Sequence, residues 1–176
     1  MVEAQERAAI DKGMQTLWII WAAMLVSLLI YVFICHQPGI GFEGVGGSDC
    51  PIGLLRNIFF GAGAAAWFMA YFMRRSMLSV RPGISKSKPV ERMVKWDAPP
   101  YIAKYATAVI VSLALSESIG IYGFVLFLLG GGFKTLYTFI GISALAMVFY
   151  RPRREEMGKL AMAYKKQAVA SSEISR

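Results

Sequence analysis

Four long apolar stretches, separated by polar or glycine-rich segments, dominate the pattern of the chain. A helix needs about 20 apolar residues to cross the hydrocarbon core of a bilayer, and each stretch is close to that length or longer. The pattern therefore predicts an all-α integral membrane protein with transmembrane helices over residues 17–35, 53–73, 101–129 and 133–150.

The connections between these stretches differ sharply in charge. Residues 36–52 are rich in glycine and proline and contain no Lys or Arg, whereas residues 74–100 and 151–176 are basic. Basic connections favour the cytoplasmic side of a membrane, so we expect a cytoplasmic loop, a cytoplasmic tail and two cytoplasmic termini. The expected location is a bacterial inner membrane. The glycine turn at 130–132 is short and predicts an antiparallel hairpin.

The basic tail shows a helical pattern of apolar positions. Its apolar residues recur with basic residues between them, at Met157, Leu160, Ala161, Tyr164 and Ala168. Such a segment either lies along the inner membrane face or forms a solvated, partly disordered tail.

Composition and charge narrow the function. The chain is 56% hydrophobic and 17% charged, which is too apolar for an ordinary soluble domain. The net charge of +8 comes from blocks that flank apolar stretches, so membrane lipids are expected as partners and nucleic acid is not.

A single His and the lack of a C-x-x-C-H motif exclude haem held by two histidines or attached through that motif. Without a nucleophile–base pair or a cofactor fingerprint, we expect neither an enzyme nor a cofactor.

Two cysteines, Cys35 and Cys50, flank the first connection. They are either free thiols or a disulfide that closes this loop on an oxidising face. A third interpretation, a metal held by Cys35, His36, Asp49 and Cys50, matches no standard zinc spacing, so no metal site is predicted.

The third stretch carries one carboxylate, Glu117, in apolar surroundings. It lies 13 residues from both Lys104 and Gly130, or about 20 Å along a helix in each direction, which places it near the bilayer midplane. A charge at that depth costs about 2.5–3.5 kcal/mol, so such a residue indicates function. Without a cationic neighbour at that depth, it must stay protonated or coordinate a bound cation.

Small and hydroxyl-bearing residues surround this acid. Ser116, Ser118 and Tyr122 offer hydroxyls near Glu117, which makes them candidate ion ligands. Two faces of small residues predict close helix packing. The face on the second helix contains Gly61, Ala62, Gly63, Ala66 and Ala70, and the face on the third contains Ser112, Ser116, Gly120 and Gly123.

The run S-E-S-I-G-I-Y-G-F-V-L-F-L-L at 116–129 resembles the acid-bearing second helix of the proteolipid c subunit of rotary ATP synthases and ATPases. Glu117 matches the ion-carrying acid of that family, and Tyr122 with Gly123 matches its Tyr-Gly pair. The run G-A-G-A-A-A at 61–66 resembles the glycine-rich first helix, and here further spans flank the hairpin. The resemblance implies ion translocation and self-association.

Glu117, Ser118 and Tyr122 also resemble the pattern of sodium-binding members of that family. Those members add a Gln or Glu from the first helix, and residues 53–73 contain neither. A proton is therefore favoured over sodium.

The leading hypothesis is a proteolipid-like subunit that binds and translocates a proton at Glu117 and assembles with copies of itself or with other membrane subunits. The alternative is a non-transporting accessory or assembly subunit in which Glu117 only hydrogen-bonds between helices. A small proton-coupled exporter is disfavoured, because such exporters carry their acid on the first helix and have shorter loops.

Overall fold

The computed structural model describes residues 2–37, 51–78 and 100–174. These residues form five helices, which are α1 (Val2–Cys35), α2 (Ile52–Leu78), α3 (Pro100–Leu128), α4 (Gly132–Phe149) and α5 (Arg154–Ile174). Helices α1 to α4 each contain a segment long and apolar enough to cross a membrane. The predicted all-α class with four such helices is confirmed.

Helix α1 begins well before residue 17, where its span was predicted to start, and is 34 residues long. Residues 2–16 continue the helix because they are rich in Ala, Glu, Gln, Lys and Arg and contain no proline. The apolar segment of α1 is Ile10–Cys35. The first polar turns of α1 therefore project beyond the apolar segment.

Helix α2 continues past the predicted end at Met73 and ends at Leu78. Arg74 and Arg75, which were assigned to the basic loop, consequently belong to the helix. The rest of that predicted loop, residues 79–99, lies outside the described residues, as do residues 38–50 of the first connection.

The connection between α3 and α4 is the tight turn that its glycines predicted. Gly130 and Gly132 have φ angles of +96° and +72°, in the left-handed region where a side chain is disfavoured. The amide of Gly131 donates to the carbonyl of Leu126 at 2.8 Å, which closes the end of α3. The predicted antiparallel hairpin is confirmed.

The tail forms the helix α5, for which the sequence left open a position along the membrane face or a partly disordered tail. Met157, Leu160 and Ala161 are buried in the same core cluster as Met14 and Leu17 of α1. The apolar face of α5 is therefore covered by the protein itself rather than left for a membrane surface. The side chain of Ala168 lies outside the described part of the chain.

Helix α3 is the centre of the bundle and packs against all four other helices. Its side chains Ile102 and Leu113 are fully buried. Helix α1 runs parallel to α3, since Gly13 faces Ile102 and Gly120 faces Leu28. The starts of α1, α3 and α5 and the ends of α2 and α4 consequently share one end of the bundle, which we call the basic end.

Close packing between α3 and α4 predicts a measurable effect at Gly123. A Cβ atom there would collide with the Cβ of Phe139 on α4. That atom is attached to the backbone, so it cannot move aside by a change of rotamer. We expect Gly123→Ala to lower the free energy of unfolding by about 1–3 kcal/mol, the usual cost of overpacking. Thermal or denaturant unfolding of the full chain in mild detergent measures this difference.

Gly141→Ala is the matched control, because no atom of the described residues lies within 4 Å of a Cβ built at that helical position. There the gain in helix propensity, up to about 1 kcal/mol, should leave stability unchanged or slightly higher. Equal stability of the two variants would contradict the close approach of α3 and α4.

Candidate ion-binding site

Glu117 lies on α3, inside the membrane-crossing segment Tyr101–Leu128. At about 1.5 Å per residue, it is roughly 4 Å from the middle of that segment. Its side chain is half-buried, so it is neither enclosed in the core of the bundle nor fully exposed on its surface.

Two hydroxyl groups of α1 converge on one carboxylate oxygen of Glu117. The Ser27 Oγ lies 2.5 Å from Oε1, and the Tyr31 hydroxyl donates to the same atom at 3.4 Å. Ser27 and Tyr31 are four residues apart and therefore share a face of α1. The ring of Tyr31 also stacks on Phe124 of α3, with 5.3 Å between ring centroids. Polar and aromatic contacts therefore hold this face of α1 against α3.

Ser27 has a second contact, 2.7 Å from its Oγ to the carbonyl oxygen of Met24. A hydroxyl carries one proton and two lone pairs, so it can donate to only one of two acceptors at a time. The single proton of Ser27 is either shared between Met24 and Glu117, or the Glu117 carboxyl supplies a second one, since the Met24 carbonyl has none to give. A protonated Glu117 carboxyl can donate to Ser27, whose own proton then goes to Met24.

The other hydroxyls near the acid in sequence are occupied elsewhere. Ser116 donates to the carbonyl of Ser112 at 2.9 Å, and Ser118 donates to the carbonyl of Leu115 at 2.8 Å. Serines in helices often bond to the preceding turn in this way. Within the described residues, the hydrogen bonds to Glu117 come from α1, and those two serines do not contribute one.

Tyr122, the third predicted ligand, faces α2. Its ring stacks on Phe59, with 5.2 Å between ring centroids and an angle of 8° between the planes. Tyr122 is five residues from Glu117, and this places it on a different side of α3. The predicted set of Glu117, Ser116, Ser118 and Tyr122 is therefore not brought together around the carboxylate.

Sequence reasoning missed Ser27 and Tyr31 because they are 90 and 86 positions away from Glu117 in the chain. A signal was nevertheless present, since both are polar side chains at i and i+4 in an otherwise apolar stretch. That spacing marks a polar face on α1 that has to meet a polar group elsewhere.

Small residues on α3 serve packing inside the chain. A Cβ at Gly120 would lie 2.5 Å from Leu28 of α1 and 3.2 Å from the hydroxyl of Ser143 on α4. Gly123 also meets α4, and Ser112 is fully buried. These positions are covered by α1 and α4, so they are closed to a second copy of the chain.

The small residues of α2 are divided between two sides of that helix. Gly63 and Ala70 are buried, and Gly63 packs against α3. Ala62 and Ala66 are half-buried, whereas Gly61 is exposed with no atom within 4 Å of a Cβ built there. Only part of the predicted face therefore packs within the chain.

One side of α3 is left uncovered by the described residues. Ala114 and Ile121 are exposed there, the latter by 40%. Helix α1 packs on α3 and α4, and α2 packs on α3, so this side opens between α1 and α2. Glu117 lies at the α1 edge of it, with Ser118 half-buried beside it.

The basic end contains a buried cation that was expected in a loop. Arg74 is 8% exposed, and its guanidinium donates to the carbonyls of Tyr150 at 2.7 Å and Arg151 at 3.4 Å. It also forms a salt bridge of 2.7 Å with Glu156 of α5. Arg74 thereby joins the ends of α2 and α4 to the start of α5.

Two tyrosines complete this cluster. The Tyr105 hydroxyl donates to the carbonyl of Arg153 at 3.0 Å and accepts from its amide at 2.8 Å. Burial raises the pKa of the Tyr150 hydroxyl, which stays neutral and donates to the carbonyl of Trp67 at 3.2 Å. These bonds tie α3 and α2 to the link between α4 and α5.

The burial of Arg74 had a signal in the sequence. Arg74 continues the four-residue spacing of Ala62, Ala66 and Ala70 along α2. Residues at that spacing share a face of a helix, so the guanidinium follows the small residues towards the rest of the bundle.

The cysteine prediction is only partly covered by the structure. Cys35 is a buried free thiol among the described residues, and Cys50 and Asp49 lie outside them. His36 is exposed, with Nδ1 3.0 Å from a carbonyl of the preceding turn and Nε2 3.0 Å from the Tyr137 hydroxyl. Within the described ranges, no group of three His, Cys, Asp or Glu side chains could hold a metal ion.

Fold and site together define a helical protein with four potential membrane-crossing segments and a carboxylate inside one of them. No protein-family model, curated protein or solved structure matches the chain.

Loss of the Arg74 guanidinium should destabilise the bundle. We expect Arg74→Met to lower the free energy of unfolding by about 2–3 kcal/mol, because it leaves the buried carbonyl of Tyr150 unpaired and removes a salt bridge. Unfolding of the full chain in non-ionic detergent measures the change.

Arg75→Met is the matched control, since Arg75 is the adjacent residue on α2 and is exposed. A surface substitution of this kind should change stability by no more than about 0.5 kcal/mol. If both variants were equally stable, the contacts of Arg74 would contribute nothing measurable.

Proposed function

We propose that the chain is a proteolipid-like membrane subunit that binds a proton at Glu117 and takes part in moving it across the membrane. Sodium is the weaker alternative. The observation that carries the proposal is the arrangement around Ser27, whose contacts with Glu117 and Met24 are both satisfied when the carboxyl is protonated.

The charges of the described residues support this proposal. Their salt bridges join Arg74 to Glu156 and Arg154 to Asp11, both at the basic end of the bundle. The partners of Glu117 among these residues are two neutral hydroxyls. A proton or a small cation therefore has to supply the neutralising charge in an apolar environment.

The position of Glu117 supports exchange of the bound ion. A carboxyl sealed in the core would keep its proton, whereas this side chain is half-buried at the edge of the uncovered side of α3. Such a position is open to a polar surface presented by another subunit. Association with copies of the chain or with other membrane subunits is therefore part of the proposal.

The distribution of charge supports an orientation. The exposed residues Arg75, Arg151, Arg153 and Lys159 lie at the basic end, where α1 begins and α5 is packed. Basic segments favour the cytoplasmic side, so we propose that both termini are cytoplasmic and that the membrane is a bacterial inner membrane.

A second candidate is a non-transporting accessory or assembly subunit. The hydrogen bonds of Glu117 cross from α3 to α1, which favours a role in holding these helices together. The two candidates differ in whether proton flux depends on Glu117.

Carbodiimide labelling tests the proton site directly, because these reagents react with protonated carboxyls in apolar surroundings. We expect labelling at Glu117 in membranes, with a rate that falls as pH rises and does not change with sodium. Peptide mass spectrometry locates the modified residue.

Glu117→Gln is the control for specificity, and the exposed Glu155 should stay unlabelled. If sodium slowed the labelling of Glu117, the bound ion would be sodium rather than a proton. A carboxyl that does not react, or whose reaction ignores both pH and sodium, would contradict an ion-binding site.

Glu117→Gln also separates the two candidate functions. A side-chain amide can donate to Ser27 as a protonated carboxyl does, so we expect the free energy of unfolding to stay within about 1 kcal/mol of the unmodified protein. Proton uptake by vesicles under an imposed membrane potential should be lost. Vesicles from cells that express each form provide the comparison.

The accessory function predicts proton flux that does not depend on residue 117. The amide of Gln can keep the bond to Ser27 in either case, so the flux and not the stability separates the two candidates. Proton flux unchanged in Glu117→Gln would overturn proton transport in favour of the accessory role.

A further inference from the structure

Exposed arginines cluster at the basic end, around the link between α4 and α5. Arg151 and Arg153 belong to this link, and Arg75 follows the buried Arg74 on α2. The three side chains are exposed, and the salt bridges of the described residues use none of them. We call these three exposed side chains at the basic end the arginine surface.

The backbone under the arginine surface is held in place. Arg74 donates to the carbonyls of Tyr150 and Arg151, and Tyr105 bonds to both the amide and the carbonyl of Arg153. Because these bonds use backbone atoms of Arg151 and Arg153, they leave the guanidinium groups of both residues available. The bond from Arg74 to Arg151 also brings the end of α2 close to the link.

Exposed apolar side chains precede the arginines in the sequence of α2 and α4. Phe72 on α2 is 70% exposed, and Val148 and Phe149 on α4 are 49% and 54% exposed. They belong to helices with membrane-crossing segments that end within a few residues of the arginines. Phe72 lies three residues before Arg75, and Phe149 lies two residues before Arg151.

We propose that the arginine surface binds the headgroup of an anionic phospholipid, whose acyl chains lie along Phe72 and Phe149. Guanidinium groups bind phosphate oxygens through paired hydrogen bonds, and an acyl chain needs an apolar surface beside them. A net negative headgroup matches three guanidinium groups that form no salt bridge among the described residues. This site is separate from Glu117 and does not depend on its function.

Lipid binding to the full chain in nanodiscs tests the proposal, with phosphatidylglycerol as the anionic probe and phosphatidylcholine as the neutral one. Near a surface each basic residue contributes about 1 kcal/mol, so Arg75→Gln/Arg151→Gln should weaken phosphatidylglycerol binding about thirtyfold. Native mass spectrometry of the lipid retained by the protein measures the change.

Arg56→Gln/Lys134→Gln is the matched control, because it removes two exposed charges from the opposite end of the bundle. We expect this variant to keep phosphatidylglycerol binding within about threefold of the unmodified protein. Arg153→Gln provides an independent variant, and should weaken binding about fivefold with the backbone bonds to Tyr105 retained.

Three results would overturn the proposal. Equal losses in the two double variants would show a general charge effect, and equal binding of phosphatidylcholine would show that the headgroup charge is not recognised. Displacement of the lipid by inorganic phosphate alone would show a phosphate site without a lipid requirement. Circular dichroism and unfolding temperature in detergent verify that each variant is folded.

Discussion

The close approach of α1 and α4 to α3 is the contact on which the rest of the structure depends. Gly120 leaves room for Leu28 and Ser143, and the residue before Leu28 is Ser27, which reaches Glu117. A Cβ at position 120 would lie 2.5 Å from Leu28 Cδ2, so the Leu28 side chain would have to shift. The lack of a side chain at Gly120 therefore lets Leu28, and Ser27 beside it, pack close to α3.

The basic end of the bundle depends on the pairing of one buried charge. A buried guanidinium is costly unless its donors are paired, and Arg74 finds two backbone carbonyls and the carboxylate of Glu156. These partners come from the end of α4, the following link and the start of α5. One side chain thus orders three segments, and the link carries exposed arginines on a fixed backbone.

Much of the fold was predictable from the sequence. The four apolar helices and the glycine turn follow from local composition, because a span needs length and hydrophobicity and a left-handed turn needs glycine. The sequence pattern predicts Arg74 and Arg75 in a loop, because charged residues usually mark the end of an apolar stretch. The predicted ligands Ser116, Ser118 and Tyr122 are near Glu117 in sequence, which does not fix where their side chains point.

By itself, the sequence determined that an acid lies in an apolar helix and that its neighbours include small residues and hydroxyls. Only the tertiary structure decided which hydroxyls contact Glu117 and which side of α3 stays open. The physical reason is that a hydrogen bond depends on the distance between atoms, and the parallel packing of α1 on α3 brings together residues about 90 positions apart. Helical periodicity in the sequence shows which residues share a face of one helix, but it does not show which faces of two helices pack together.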